Sequence, residues 1–267
     1  MRSPEPPDQA TLPIFRILLL VQVAAAGFFG LLPFLLPSAY ATGAGFTGRE
    51  PFIYQLAGAA TLGYAVVALV AFARPAWYRL RIPLTATLTF NAAAVIGSLM
   101  SMAAGETQFV VFFVAVAASV FTLLAGYWLV RDRGPEDPAG EPIEPWFRAV
   151  IAAATLAATF FGLAPLVAPE QFASLAGFAT DDVWIYRLAG AATLGYAVAG
   201  LVSLFAHTKG EIALQTRGAL TFNALSAVAA LFYVMDGGTS PVAWLIGVAA
   251  TAFSVAFIVW LGVPRRD

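Results

Sequence analysis

The sequence predicts an all-α polytopic membrane protein, with eight transmembrane helices set out as two tandem, parallel four-helix repeats. Three observations carry this. Of 267 residues, 60% are apolar and only 11% are charged, against about 25% charged in an average soluble domain. Mean hydropathy is +0.82, and a soluble chain of this length could not cover its surface with so few polar groups. The apolar residues also gather into eight stretches of the roughly 20 residues a helix needs to cross a bilayer. Finally, the chain repeats itself at an offset of 132 residues.

The eight stretches are Ile14–Leu36, Phe52–Ala73, Ile82–Ala104, Gln108–Val130, Trp146–Ala168, Val183–Ala206, Leu214–Met235 and Val242–Val263. None carries the one-sided polar stripe of a soluble surface helix, and none alternates like a barrel strand. Ile17–Val23 followed by Ala24, Ala25 and Ala26 has the look of a signal peptide. Its counterpart from Ala149 lies mid-chain, so the first stretch is read as a retained span. After each first span comes a short loop with helix chemistry of its own. Pro169 and Glu170 open it and Gly177 closes it, which predicts a short interfacial helix with Phe172, Leu175 and Ala176 on one face. The counterpart starting at Pro37 is weaker, with Gly43 and Gly45 inside it.

The repeat is explicit. Leu56 through Val66 recurs unchanged as Leu188 through Val198, and Leu88 through Ala92 as Leu220 through Ala224. Phe28–Leu31 with Phe160–Leu163, Pro33 with Pro165 and Trp128 with Trp260 keep the same offset. This is an internal duplication. Four spans return the chain to its starting side, so the copies are parallel about an axis along the membrane normal. The joint, Arg131–Glu144, is rich in Pro, Gly and charge, as a linker is. The expected units are residues 1–134, a linker over 135–144, and residues 145–267.

Charge orients the bundle. Twelve of the 14 Lys and Arg lie on the side of the termini: Arg2, Arg16, Arg74, Arg79, Arg81, Arg131, Arg133, Arg148, Lys209, Arg217, Arg265 and Arg266. Only Arg49 and Arg187 lie on the other, with Glu50, Glu106, Glu170, Asp181, Asp182 and Asp236. The rule that Lys and Arg stay inside predicts a multi-pass protein of the inner (plasma) membrane with both termini cytoplasmic. The six Trp fall near span ends, where such rings favour the headgroup layer.

Several chemistries are excluded. Cys is absent and His207 is the one histidine, so no thiolate or bis-His metal site is expected. A net charge of -1 gives no surface for nucleic acid. No nucleotide-binding glycine motif or hydrolase elbow occurs, so no cofactor and no enzyme activity are expected. No Asp, Glu or Lys lies deep in a span, as a proton- or cation-coupled transporter would need.

The candidate site residues are Thr61, Tyr64 and Asn91 in the first half, Thr193, Tyr196 and Asn223 in the second, and Arg187 alone. Ala57, Thr61 and Ala65, with Gly58, and their copies Ala189, Thr193 and Ala197, with Gly190, have the spacing of close helix packing. An Asn at mid-membrane must find a partner, and Tyr64 and Tyr196 are placed to serve Asn91 and Asn223. Arg187 has Gln55 as its counterpart. It either takes an anion at the outer mouth or is neutralised by Asp236, Glu106 or Asp181. Arg16 and Arg148 are expected to anchor on phosphate headgroups.

Pro169-Glu170 after a first span, and Arg187 followed by Gly190 and Gly195 in a second, resemble the DoxX-like group of small four-helix bacterial membrane proteins. The first half departs from that pattern, with Ser38 for the acid and Gln55 for the Arg. The resemblance implies a four-helix bundle as the unit of fold, and no activity is carried over from it.

The expected function is non-enzymatic: passing a small neutral or anionic solute, or binding a lipid-like ligand, between the halves. The other reading is a structural or accessory subunit of a larger membrane complex. The partners expected are membrane lipid, a small-molecule or lipid-like ligand, or other subunits of such a complex.

Overall fold

A computed structural model of the chain describes residues 11–73, 76–131 and 140–262. Arg2, Arg74, Arg133, Arg265, Arg266 and residues 135–139 of the predicted linker lie outside the described residues. The protein is all-α. The helices are α1 (Thr11–Leu35), α2 (Pro37–Gly43), α3 (Pro51–Ala73), α4 (Trp77–Ala103), α5 (Phe109–Arg131), α6 (Pro145–Val167), α7 (Pro169–Ala176), α8 (Val183–Leu204), α9 (Lys209–Met235) and α10 (Pro241–Gly262). All but α2 and α7 are long and apolar enough to cross a membrane, which makes this an integral, multi-pass membrane protein.

The third span of each half starts a turn or more before the apolar stretch does, at Trp77 and Lys209. At α9 the reason is a capping box: Thr208 and Glu211 satisfy each other's backbone N–H groups, which fixes the helix start among polar residues. In α7, Pro169 sits in the first turn beside Glu170, and Gly177 ends the helix with φ of 71°, a left-handed conformation that a side chain would strain. Its buried face is Phe172, Ala173 and Ala176, whereas Leu175 is 77% exposed. The expectation that Leu175 shares a face with Phe172 and Ala176 is corrected: Ala173, small and fully buried, joins them and Leu175 is exposed.

The halves do not pack as two separate bundles. Within each half, α1 lies along α3, α4 along α5, α6 along α8, and α9 along α10. The consecutive spans α3 and α4 scarcely touch, and neither do α8 and α9. Instead α3 packs on α9 and α4 on α8, so the core is a ring in the order α3, α9, α4, α8. The other four spans lean on the outside of that ring.

Small residues allow this. A Cβ added to Gly63 of α3 would lie 2.6 Å from the Gly218 carbonyl of α9, and one on Gly195 of α8 2.7 Å from the Ala86 carbonyl of α4. Gly58 and Gly190 do the same for the outer helices, each 2.6 Å from a carbonyl, of Gly30 and Gly162. Without a hydrophobic drive between helices in lipid, such backbone approach is what makes contact profitable.

Equivalent residues meet on the central axis. The Tyr64 and Tyr196 rings lie 4.8 Å apart, and Arg49 pairs with Asp181 at 3.2 Å. Each pair spans the repeat offset. Thirteen residues of helix, about 20 Å, separate Pro51 at the start of α3 from Tyr64, so the axis runs along the spans.

At the end away from the termini, the halves clasp each other through carboxylates. Asp182 is buried and accepts from Thr47 N (2.9 Å), Gly48 N (2.8 Å), Thr47 Oγ1 (3.1 Å) and the Tyr54 hydroxyl (2.9 Å). Its counterpart Glu50 accepts from Ala179 N at 3.3 Å. Burial pushes the Glu50 carboxyl above its ordinary range, against the pull of the Ala179 and Phe52 backbone N–H groups. Phe46 stacks on Trp184, and the matching pair is Phe178 with Phe52.

At the terminal end, residues 140–144 are stitched to the turn between α8 and α9. Lys209 Nζ reaches Glu141 at 2.9 Å and Glu144 at 2.6 Å, and Trp260 Nε1 donates to Glu144 at 2.9 Å. Arg148 donates to the Leu204 and Ala206 carbonyls at 2.7 and 2.8 Å. Its guanidinium therefore closes the end of α8, which replaces the headgroup role expected for it.

Candidate functional site: two side-opening cavities

Each half holds a cavity between its outer helices. In the first half, α1 leans on α3 and α5 on α4, while α1 and α5 meet through ring contacts, Phe15 with Trp128 and Phe29 with Phe113. The gap left between them is a cavity of about 280 Å3. In the second half the gap between α6 and α10 gives one of about 140 Å3. Val21 and Phe113, on the two sides of the first gap, are 49% and 42% exposed, so the cavity opens sideways, where lipid lies.

The walls correspond. Thr61, Tyr64, Phe90 and Asn91 line the first cavity, and Thr193, Tyr196, Phe222 and Asn223 the second. Ile185 and Leu188 of the second half reach into the first cavity, and Ile53 and Leu56 return the exchange. The sequence candidates are thus brought together as two sets of three, one per half, rather than as one site between the halves.

The space between the halves is filled. The Tyr64 hydroxyl crosses to donate to the Ala192 carbonyl and the Tyr196 hydroxyl to the Ala60 carbonyl, both at 2.9 Å. Each ring stacks on a Phe of its own half, Phe90 or Phe222. The two tyrosines therefore do not serve the asparagines, as the sequence suggested. Asn91 Nδ2 donates to the Thr87 carbonyl and Asn223 Nδ2 to the Ala219 carbonyl, each at 2.8 Å in its own helix. Thr61 and Thr193 likewise donate back to Ala57 and Ala189 at 2.8 Å. The Thr hydroxyl protons are thus spent on their own helices, which leaves oxygen lone pairs on the Thr, while each Asn keeps its oxygen and one amide N–H for a ligand.

Arg187 lines neither cavity. Its Nη1 donates to Ser101 Oγ at 2.7 Å, and its Nε is buried without a hydrogen-bond partner. Of the acids expected to neutralise it, Asp181 is engaged by Arg49 instead. Arg187 lies near the start of α8 and Asn223 deeper in α9, about two helical turns apart in depth, so the expected union of Arg187 with the Thr, Tyr and Asn set does not form.

Sequence reasoning missed the residues in which the cavities differ. The first has Gln22 and Tyr40, where the second has Ala154 and Phe172. Tyr40 sits on α2, outside the spans, and burial pushes its phenol up to about 12, so it stays a neutral donor. The second has Thr155, Ser203, Gln215 and Ser226 at positions where the first half carries Val23, Ala71, Pro83 and Ala94. The signal was present in the repeat, at the positions where the two copies disagree.

No protein-family model, curated protein or solved structure matches the chain. Fold and cavities therefore define it as a multi-pass helical membrane protein with paired intramembrane pockets.

Proposed function

We propose that this is a non-enzymatic inner-membrane protein, with both termini cytoplasmic, that binds a lipid-like small molecule in each of two side-opening cavities. The observation that carries this is the pair of cavities itself, with the same Thr, Tyr, Phe and Asn at the same wall positions. Concave apolar walls with a few converging polar groups are the usual form of a small-molecule site. Entry from the side suits a ligand that partitions into lipid. The tyrosine-filled midline favours binding within each half over passage between the halves. The bias of Lys and Arg toward the terminal side supports the orientation. The likeness of each half to the DoxX-like group remains part of this proposal at the level of the four-span repeat.

The test is native mass spectrometry of gently extracted protein. A small apolar molecule should stay bound to the wild type and be lost when the equivalent wall residues are filled, as Ala117→Trp with Ala249→Trp. A spectrum with no bound mass, or one unchanged by both substitutions, overturns the proposal.

A further inference from the structure

Ser226 is 2% exposed, lines the second-half cavity, and its hydroxyl has no hydrogen-bond partner among the described residues. A buried serine on a helix ordinarily donates back to the carbonyl four residues earlier. Ser203 and Ser254 do so here, each at 2.7 Å. Leaving a buried hydroxyl unpaired is costly, and an unpaired group in a native structure asks for an explanation. Asn223 lies one turn before Ser226, on the same face of α9. Its amide nitrogen is held by the Ala219 carbonyl, which leaves its oxygen as an acceptor. The first-half position matching Ser226 is Ala94, also on the cavity wall.

Building on the two-cavity reading, we propose that the second-half cavity is specific for an apolar molecule bearing a hydroxyl group. The ligand's O–H donates to Asn223 Oδ1 and its oxygen accepts from Ser226. An apolar cavity of about 150 Å3 holds a benzene-sized body, so about 140 Å3 suits a ring or a short chain. The first-half cavity has Ala94 at that position and so lacks the serine hydroxyl. The hydroxyl belongs either to a free alcohol or to a lipid such as a diacylglycerol, and both present the same group to Ser226.

Photolabelling in lipid nanodiscs tests this, with a diazirine-bearing octanol and a diazirine-bearing octane of the same length, and adducts mapped by peptide mass spectrometry. The alcohol should label α6 and α10 around Thr155 and Phe253 in preference to the alkane. Ser226→Ala should lower alcohol labelling there about threefold to tenfold, the effect of one lost hydrogen bond, and leave alkane labelling unchanged. Ala94→Ser should raise alcohol labelling of the first-half cavity, which keeps the test decisive even where Ser226→Ala weakens folding. Competition by unlabelled octanol alone points to a free alcohol, and competition by diacylglycerol as well points to a lipid hydroxyl. Equal labelling of the second-half cavity by both probes, unchanged by Ser226→Ala, overturns the hydroxyl specificity while the two-cavity reading stands. Labelling of neither cavity above the lipid-facing helix surfaces overturns both.

Discussion

Along the axis the two halves mirror each other, while in the cavities they have drifted apart. Tyr64 and Tyr196 make the same bond to the same position of the opposite half. Gly63 and Gly195 each receive the facing tyrosine. Away from the axis, Ser226 stands against Ala94, Gln215 against Pro83 and Gln22 against Ala154. The reason is geometric. On a two-fold axis each copy is its mate's partner, so a change on one side disturbs both of a matched pair of contacts. A cavity wall faces mainly its own half and a ligand, so it can change alone. Matched residues on the axis therefore report the scaffold, matched wall residues what the two cavities share, and mismatched ones what each half does differently.

The comparison can be broken most easily at the clasp farthest from the termini. Asp182→Ala leaves two backbone N–H groups and the Tyr54 hydroxyl without their acceptor, at about 2–4 kcal/mol. Glu50→Ala removes one long bond and should cost less than about 1 kcal/mol. Unfolding titrations in mixed micelles would show the gap, and equal losses would mean that the two carboxylates do the same work. Next come the axis glycines. Gly63→Ala and Gly195→Ala should each cost about 1–3 kcal/mol through overpacking. Their costs should be alike and their sum non-additive, since both strain the same tyrosine pair. Additive or very unequal values in the same titrations would sink the idea of a shared axis. Smaller still is the loss in Tyr64→Phe and Tyr196→Phe, about 0.6–1.7 kcal/mol each for an interhelical bond in lipid. Thermal unfolding should place the two variants together.

The smallest effect sharpens the contrast at the terminal end. Trp260 donates to Glu144, while the Nε1 of its counterpart Trp128 is buried without a partner among the described residues. Burial works against the Glu144 charge, but the Lys209 ammonium and the Trp260 N–H hold its carboxyl below the ordinary carboxylate range. A lowered carboxyl contributes stability that is complete above its unfolded value and fades as pH falls through the folded one. Acid titration of the Trp128→Phe variant, in which Trp260 remains, should show a fluorescence change below the ordinary carboxylate range. Adding Glu144→Gln should abolish it. A change that survives Glu144→Gln would assign the titration to another group.

Much of the fold was legible from the chain alone. The eight spans, the short helix after Pro169 and the pairing of Thr, Tyr and Asn between halves all follow from apolar run length and the offset of 132. The small residues around Gly58 and Gly190 were readable as close-packing positions, whereas the part played by Gly63 and Gly195 emerged only from the structure. What they pack against was not. Nothing in the order of the spans says that α3 would pass over α4 to lie on α9, because run length and hydropathy mark both as spans without naming their neighbours.

The sequence by itself determined that this protein is helical, lies in the membrane and is written twice. Run length and hydropathy are local properties of the chain, and a repeat needs no coordinates to be seen. Only the tertiary structure decided which copy of each helix becomes a neighbour. By that choice it turned the tyrosines inward to seal the midline, left the asparagines facing two lateral cavities, and stranded the Ser226 hydroxyl. Those outcomes depend on contacts between residues more than a hundred positions apart, such as Tyr64 with Ala192 and Tyr196 with Ala60, which no local property of the chain encodes.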